Sequence, residues 1–185
     1  MSEDVIDVQI GAGALFEYLP DEVIPYARSR VVRRTRFRLE QSASLFATDM
    51  LSAGRVNYRD GESFAFTSMR SELEISVGGR LVFLDRLRAT GPDEVAALAQ
   101  LWTGRRHLVT VLAYGDGLAH GCEARVEAAA AAVSGVSVGA TRKGALLCAR
   151  LLADQAWQAH EAIQRIWAVV RPDLAGKPAR TIAKS

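Results

Sequence analysis

Apolar and polar positions alternate along the first half of the chain, and the period changes near residue 91. Thr35, Phe37 and Leu39 fall on one side of an extended segment, and Arg34, Arg36 and Arg38 on the other. This is the period-2 pattern of a strand with one buried and one solvated face. Leu73, Ile75 and Val77 alternate in the same way with Glu72, Glu74 and Ser76. Gly78-Gly79 then separates them from a second such run, in which Leu81, Phe83, Asp85 and Leu87 oppose Arg80, Val82, Leu84 and Arg86. Two glycines between such runs predict a hairpin, because glycine supplies the positive φ that both central positions of the tight turn require. Between Val5 and about Leu87 a Gly, Pro, Asn or Asp recurs roughly every ten residues, so this half reads as a succession of short strands.

After Gly91-Pro92 the spacing of Val95, Leu98 and Leu101 predicts a short helix that Gly104 ends. His107 to Ala113 reads as a strand. Glu123 to Val133, with its consecutive alanines, favours helix by propensity. Val136 to Val138 and Ala145 to Leu152 read as a strand pair around a loop marked by Gly139 and Gly144. Asp154 is the expected cap of a last helix whose stripe is Trp157, His160, Ile163, Trp167 and Val170, with Pro172 as its stop. No internal repeat of fixed period is legible.

A chain of 185 residues with 49% hydrophobic positions supports one core of ordinary size. A net charge of +2 gives no whole-molecule field toward DNA or acidic membranes, although local patches remain open. Cys122 and Cys148 make no disulfide scaffold and no leader-like segment opens the chain, which together indicate a reduced, cytoplasmic setting. The longest nearly apolar run, Ala128 to Val133, is far short of the roughly 20 residues of a membrane span, so no membrane partner is expected.

Catalytic chemistry is sparse. "GATRKGAL", residues 139 to 146, has the glycine spacing of a phosphate loop, but Ala145 and Leu146 stand where that chemistry needs Lys and Ser or Thr. "GAGA", residues 11 to 14, lacks a third glycine, and no G-x-S-x-G elbow occurs. His120-Gly121-Cys122-Glu123 brings imidazole, thiol and carboxylate together as a possible transition-metal cluster, against the plainer reading of a surface turn entering a helix. His160, within the last stripe, reads as a packed or interface histidine, and Cys148 as core. Arg28, Arg30, Arg33, Arg34, Arg36 and Arg38 form the densest charge. Their guanidinium forks suit a protein partner's carboxylates, or the phosphates of RNA or another polyanion. Aromatic residues do not interleave with them as base-stacking requires, so nucleic acid is the second of these readings.

An ordered set of short motifs carries a family resemblance. Leu19-Pro20, Ile24-Pro25 and Ser29-Arg30 stand in "YLPDEVIPYARSRVVRRTRFRLE". Gly54-Arg55, Gly61-Glu62 and Phe64 follow in "LSAGRVNYRDGESFAF", and Asp85-Arg86 in "LVFLDRLRA". With "LLCARLLADQA" and "RPDLAGKPA" toward the C-terminus, this order closely resembles the urease accessory protein UreD (UreH) family. The resemblance covers roughly the C-terminal two thirds of a typical member, and the final Ala179-Arg180-Thr181-Ile182 departs from the family's usual Pro-Arg-Ile-Trp-like ending.

The resemblance implies a mainly β architecture of stacked, β-helical sheets with about two to three α-helices in the C-terminal half. It implies one domain over residues 1–174, without the family's N-terminal β-rich part, and a flexible tail over 175–185. The implied role is that of a maturation chaperone and not of an enzyme. It would bind apo-urease with UreF-like and UreG-like proteins and assist nickel delivery, with no tightly bound cofactor. Pro20 and Pro25 would end and redirect strands, since proline cannot donate to a ladder. Glu62 and Asp85, and more weakly His120 and Cys122, are candidate transient Ni²⁺ ligands. For the two carboxylates the plainer expectation is an ion pair with Arg55 or Arg86.

Overall fold

The computed structural model describes residues 1–58 and 61–179. Five strands lead the chain: β1 (Ser2–Ile10), β2 (Leu15–Tyr18), β3 (Arg30–Leu39), β4 (Ser44–Ser52) and β5 (Ser68–Val77). They alternate between two sheets. β1, β3 and β5 pair in parallel in the first sheet, and β2 and β4 pair in parallel in the second. The chain therefore winds as a flattened coil. The first turn advances 29 residues in both sheets (2 to 31 and 15 to 44). The next advances 38 (30 to 68), and the added residues fall between β4 and β5, in the segment that holds Gly54, Arg55, Gly61, Glu62 and Phe64. The repeat is illegible in the sequence because this insertion breaks its period after a single turn.

The remaining elements are antiparallel or helical. β6 (Arg80–Thr90) closes the first sheet as β1-β3-β5-β6 through the Gly78-Gly79 hairpin. α1 (Gly91–Leu101) follows, then β7 (His107–Tyr114), α2 (Cys122–Ala131), the hairpin β8 (Val136–Lys143) and β9 (Leu146–Ala153), and α3 (Ala156–Ala175). The second sheet runs β2-β4-β7-β9-β8. This mainly β arrangement of coiled sheets with three helices in the C-terminal half matches the expected architecture. No helix among the described residues is long and apolar enough to cross a membrane.

Among the described residues, three apolar clusters hold the layers together. One fills the space between the second sheet and α2 and α3, with Phe46, Met50, Val109, Val111, Leu147, Leu151, Ile166 and Val170 fully or almost fully buried. A second lies between the two sheets around Phe37, Leu45, Ile75 and Leu112, and a third gathers Phe66, Met69, Val95 and Trp102 under α1. Each fully buried aliphatic or aromatic side chain contributes about 1.5–3 kcal/mol relative to exposure.

Several local expectations are corrected. Leu101 and Trp157 are largely exposed, while Trp102 takes the inward position beside Leu98. Gly139 lies within β8, and only Gly144-Ala145 turns the hairpin. Gln155, not Asp154, caps α3: its backbone N–H donates to Gln158 Oε1 at 2.9 Å in a capping box, while Asp154 accepts from Arg105 Nη1 at 2.6 Å. Pro172 sits inside α3 rather than ending it, and Gly176, with φ 62°, terminates the helix by donating to the Pro172 carbonyl at 2.9 Å. Of the expected tail, Lys177 and Pro178 offer carbonyls to Arg171 Nη1 at 3.3 and 2.7 Å, and residues 180–185 lie outside the described residues.

Candidate functional site

The family-like motifs converge on one set of loops. Pro20 follows β2, and Val23 makes a parallel bridge with Leu51 before Ile24-Pro25 turns the chain away. Gly54 has φ 149°, and a Cβ there would collide with the Glu62 carbonyl oxygen, so glycine lets two motif segments cross. The Arg55 guanidinium grips Glu62 through two bonds, Nε to Oε2 at 2.9 Å and Nη2 to Oε1 at 2.6 Å. It also lies over the Tyr26 and Tyr58 rings, at 4.5 and 4.0 Å from their centroids. Arg28, at φ 62°, donates its backbone N–H to Ala65 O at 2.8 Å, and the Ser29 carbonyl accepts from Thr67 N at 2.8 Å. Gly61 donates to Tyr58 O at 2.9 Å, and Phe64, at φ 54°, donates to Ala53 O at 2.7 Å and packs edge-on to Trp102. Leu19 instead packs at the margin of the helix-side core. Ile24, Tyr26 and Tyr58 remain exposed around this cluster.

The arginine strand divides between two faces. Arg33 points inward and is 4% exposed; its Nη1 donates to Asp49 Oδ1 at 2.5 Å, and its Nε lies 3.5 Å from Asp4. Arg34, Arg36 and Arg38 point outward as expected, but neighbouring strands supply acids to them. Arg34 pairs with Glu3 at 3.1 Å, Arg38 with Asp7, and Arg36 lies within 4 Å of both Glu72 and Glu74. Arg86 reaches the same Glu72 at 2.9 Å, and this bond holds the Glu72 carboxyl below its ordinary range. The acids facing these arginines are therefore Glu3, Asp7, Glu72 and Glu74, not Glu62 or Asp85. Arg28 and Arg30 lie exposed at the entry to the strand.

A polar seam runs between the sheets. Asp85 faces inward from β6 and pairs with Arg150 Nη2 of β9 at 2.7 Å, not with Arg86. Asp85 joins Asp49, Ser71 and Thr110 around a small cavity. It also borders a cleft of about 520 Å³ walled by Leu87, Leu98, Trp102 and Leu152. The seam thus carries paired charges from a buried cavity to an open cleft. Glu62, bound to Arg55 in the motif loops, is not part of it.

The His120–Glu123 segment does not assemble as a ligand cluster. Cys122 is fully buried in the helix-side core, and burial pushes its thiol up; Cys148 is pushed up by the same cause. A thiol held in this way is a poor nucleophile and ligand at neutral pH. His120 lies exposed at a shallow depression with Asp116, Glu123 and Arg142. A different grouping forms where α3 meets the β2 edge: His160 Nε2 stands 3.1 Å from Glu22 Oε2, and Asp21 is close to both. His107, buried beneath them in β7, is held below the ordinary imidazole range by desolvation. Asp21 and Glu22 lie inside "LPDEVIP", yet their partner is 138 residues away, and no local spacing could reveal the meeting.

The structure so far defines a coiled two-sheet β scaffold whose motif residues build a loop cluster and an ion-paired seam. The chain belongs to the UreD urease accessory protein family, which it matches over residues 2–183. It is 30% identical over 179 residues to "Urease accessory protein UreD 3" of Methylorubrum populi, covering 93% of this chain and 57% of that protein. It is 32% identical over 181 residues to the urease accessory protein UreD of Pseudomonas aeruginosa strain UCBPP-PA14, covering 96% and 62%. Against the corresponding protein of Anaeromyxobacter sp. the identity is 37% over 129 residues, covering 68% and 41%. The chain thus spans about three fifths of the length of the first two of these relatives.

Proposed function

We propose that this chain is a urease accessory protein of the cytoplasm, a maturation chaperone without catalysis of its own. It binds apo-urease together with UreF-like and UreG-like partners and assists nickel delivery to the urease active site. The observation that carries this reading is the family match over almost the whole chain, with most of its motif residues folded into one loop cluster and Asp85 in the seam between the sheets. A phosphate loop is lacking at residues 139 to 146, which form part of an ordinary hairpin, so any nucleotide chemistry belongs to a partner.

Within this reading Asp85 is the better transient nickel station, because it borders both the inner cavity and the open cleft. Glu62 serves the motif loops through Arg55. The partner surface combines Ile24, Tyr26 and Tyr58 around Arg55, a Tyr and Arg composition common at binding hot spots. The alternative, a polyanion-binding module on the Arg28–Arg38 strand, has less support because Arg33, Arg34, Arg36 and Arg38 are matched by acids.

Co-expression of the chain with UreF-like and UreG-like proteins and apo-urease, followed by pull-down and urease activity in nickel-supplemented cells, tests the proposal. Recovery of a complex with activation is expected, and Asp85→Ala lowers activation when nickel is limiting. Failure to recover any complex, combined with steeply salt-dependent RNA binding, would reverse the two readings.

A further inference from the structure

Asp21, Glu22 and His160 each bring one ligand atom to a common point: one ring nitrogen of His160 and one carboxylate oxygen of each acid lie within 4.8 Å of one another. The sequence and fold create this meeting in three steps. Pro20 ends β2, Val23 re-pairs beside Leu51, and the two acids between them are carried along the sheet edge. α3 then crosses the same edge, where Trp167 Nε1 and Arg171 Nε donate to Glu17 at 2.6 and 3.0 Å and fix the helix rotation. That rotation places His160, about two turns earlier on the same face, against Glu22.

We propose that Asp21, Glu22 and His160 form a binding site for one divalent transition-metal cation at the junction of the β2 edge and α3. One imidazole and two carboxylates suit borderline ions such as Zn²⁺, Ni²⁺ or Co²⁺. Nitrogen and oxygen ligands each stand about 2.0–2.2 Å from such an ion. Two of them on one ion are therefore about 2.9–3.4 Å apart, from square to tetrahedral angles. The 3.1 Å between His160 Nε2 and Glu22 Oε2 already falls in that range.

A second observation comes from beneath the cluster. His160 and Pro20 line a cavity of about 60 Å³ together with Thr48, whose hydroxyl is buried and has no hydrogen-bond partner among the described residues. Thr48 is 3% exposed and lines a space large enough for a water molecule. A water on the bound ion would satisfy it. His107, 2% exposed and with Nδ1 likewise lacking a partner, lies within electrostatic range of Glu22 and His160. A plain ion pair docking the helix would account for Glu22 and His160, but it leaves the buried Thr48 hydroxyl unmatched.

The site does not rest on the proposed function and is tested on the isolated chain. Metal-stripped protein is titrated by equilibrium dialysis with Ni²⁺ or Zn²⁺ chloride alone, and with Co²⁺ while its visible absorption is followed. One equivalent is expected to bind at micromolar metal. His160→Ala and Glu22→Gln should each weaken binding at least tenfold and abolish the cobalt spectrum, while His120→Ala should leave both unchanged. Asp21→Asn alters an exposed side chain and keeps the test valid if a change at the half-buried positions unfolds the protein; it should weaken binding severalfold. Absence of stoichiometric binding, or binding that survives all three ligand substitutions, overturns the assignment.

Discussion

The two sheets are built from the same coil but treat their faces differently. The second sheet is covered on both sides, by the first sheet and by α2 and α3, so Leu45 and Phe46, adjacent in β4, are both fully buried. The first sheet is covered on one side only. Its outer face carries Arg34, Arg36 and Arg38 on β3, Glu3 and Asp7 on β1, and Glu72 and Glu74 on β5, arranged in opposite-charge columns. Charge in the first sheet is thus a surface fabric of replaceable threads, while charge at the seam, in Arg33 and Asp49, is locked between layers. The same residue type therefore carries different weight at positions one apart in the chain.

The largest expected effect separates the two sheets by stability. Phe46→Ala should cost about 3–5 kcal/mol, because a fully buried aromatic leaves a cavity that neither sheet nor helix can fill. Urea denaturation measures this, and a loss below about 1 kcal/mol would mean that the helix layer does not pack as described. Asp49→Ala comes next, since it leaves the buried Arg33 with only the more distant, half-exposed Asp4 beside it and should cost about 3 kcal/mol. Replacing both members, Arg33→Met with Asp49→Leu, should restore much of that loss, and equal damage from single and double variants would show that the seam does not depend on pairing.

A smaller effect depends on pH. Arg86 holds the Glu72 carboxyl below its ordinary value, so the folded state keeps it ionised where the unfolded chain takes up a proton. Its contribution is present above about pH 4.5, the ordinary value, and is lost as the pH falls through the lower folded value. Glu72→Gln should flatten that part of the stability profile, and an unchanged acid limb would assign it to other groups. The smallest effect belongs to Arg38→Ala. An exposed pair with Asp7 is worth about 0–1 kcal/mol, and added salt should erase the difference from the parent.

Legibility in the sequence followed the same division. β3, β5 and β6 announce themselves by alternation because only one of their faces is buried, and Gly78-Gly79 marks their hairpin. β4 has no clean alternation, because Leu45, Phe46, Ala47 and Thr48 are buried in succession. Arg33 breaks the inward pattern by placing a cation there, which Asp49 from the other sheet and Asp4 from β1 explain. Trp157 fitted the helical stripe by spacing, yet α3 turns Gln158 and Ala159 inward because the Gln155–Gln158 capping box sets its first turn. Of the chemistry, an ion pair with Arg55 or Arg86 was the plainer expectation for Glu62 and Asp85, and Arg55 does hold Glu62, whereas the approach of Asp21 and Glu22 to His160 depends on a helix at the far end of the chain.

The coil also sets an order of assembly in time. β5 with β6, and β8 with β9, are joined by two-residue turns, so these ladders can zip within microseconds of their strands becoming available. β1 must await β3, and β2 must await β4, each across a loop of 29 residues, before its first ladder bond can form. During synthesis β1 and β2 consequently stand as open ladder edges until β3 and β4, the next turn of the coil, have been made.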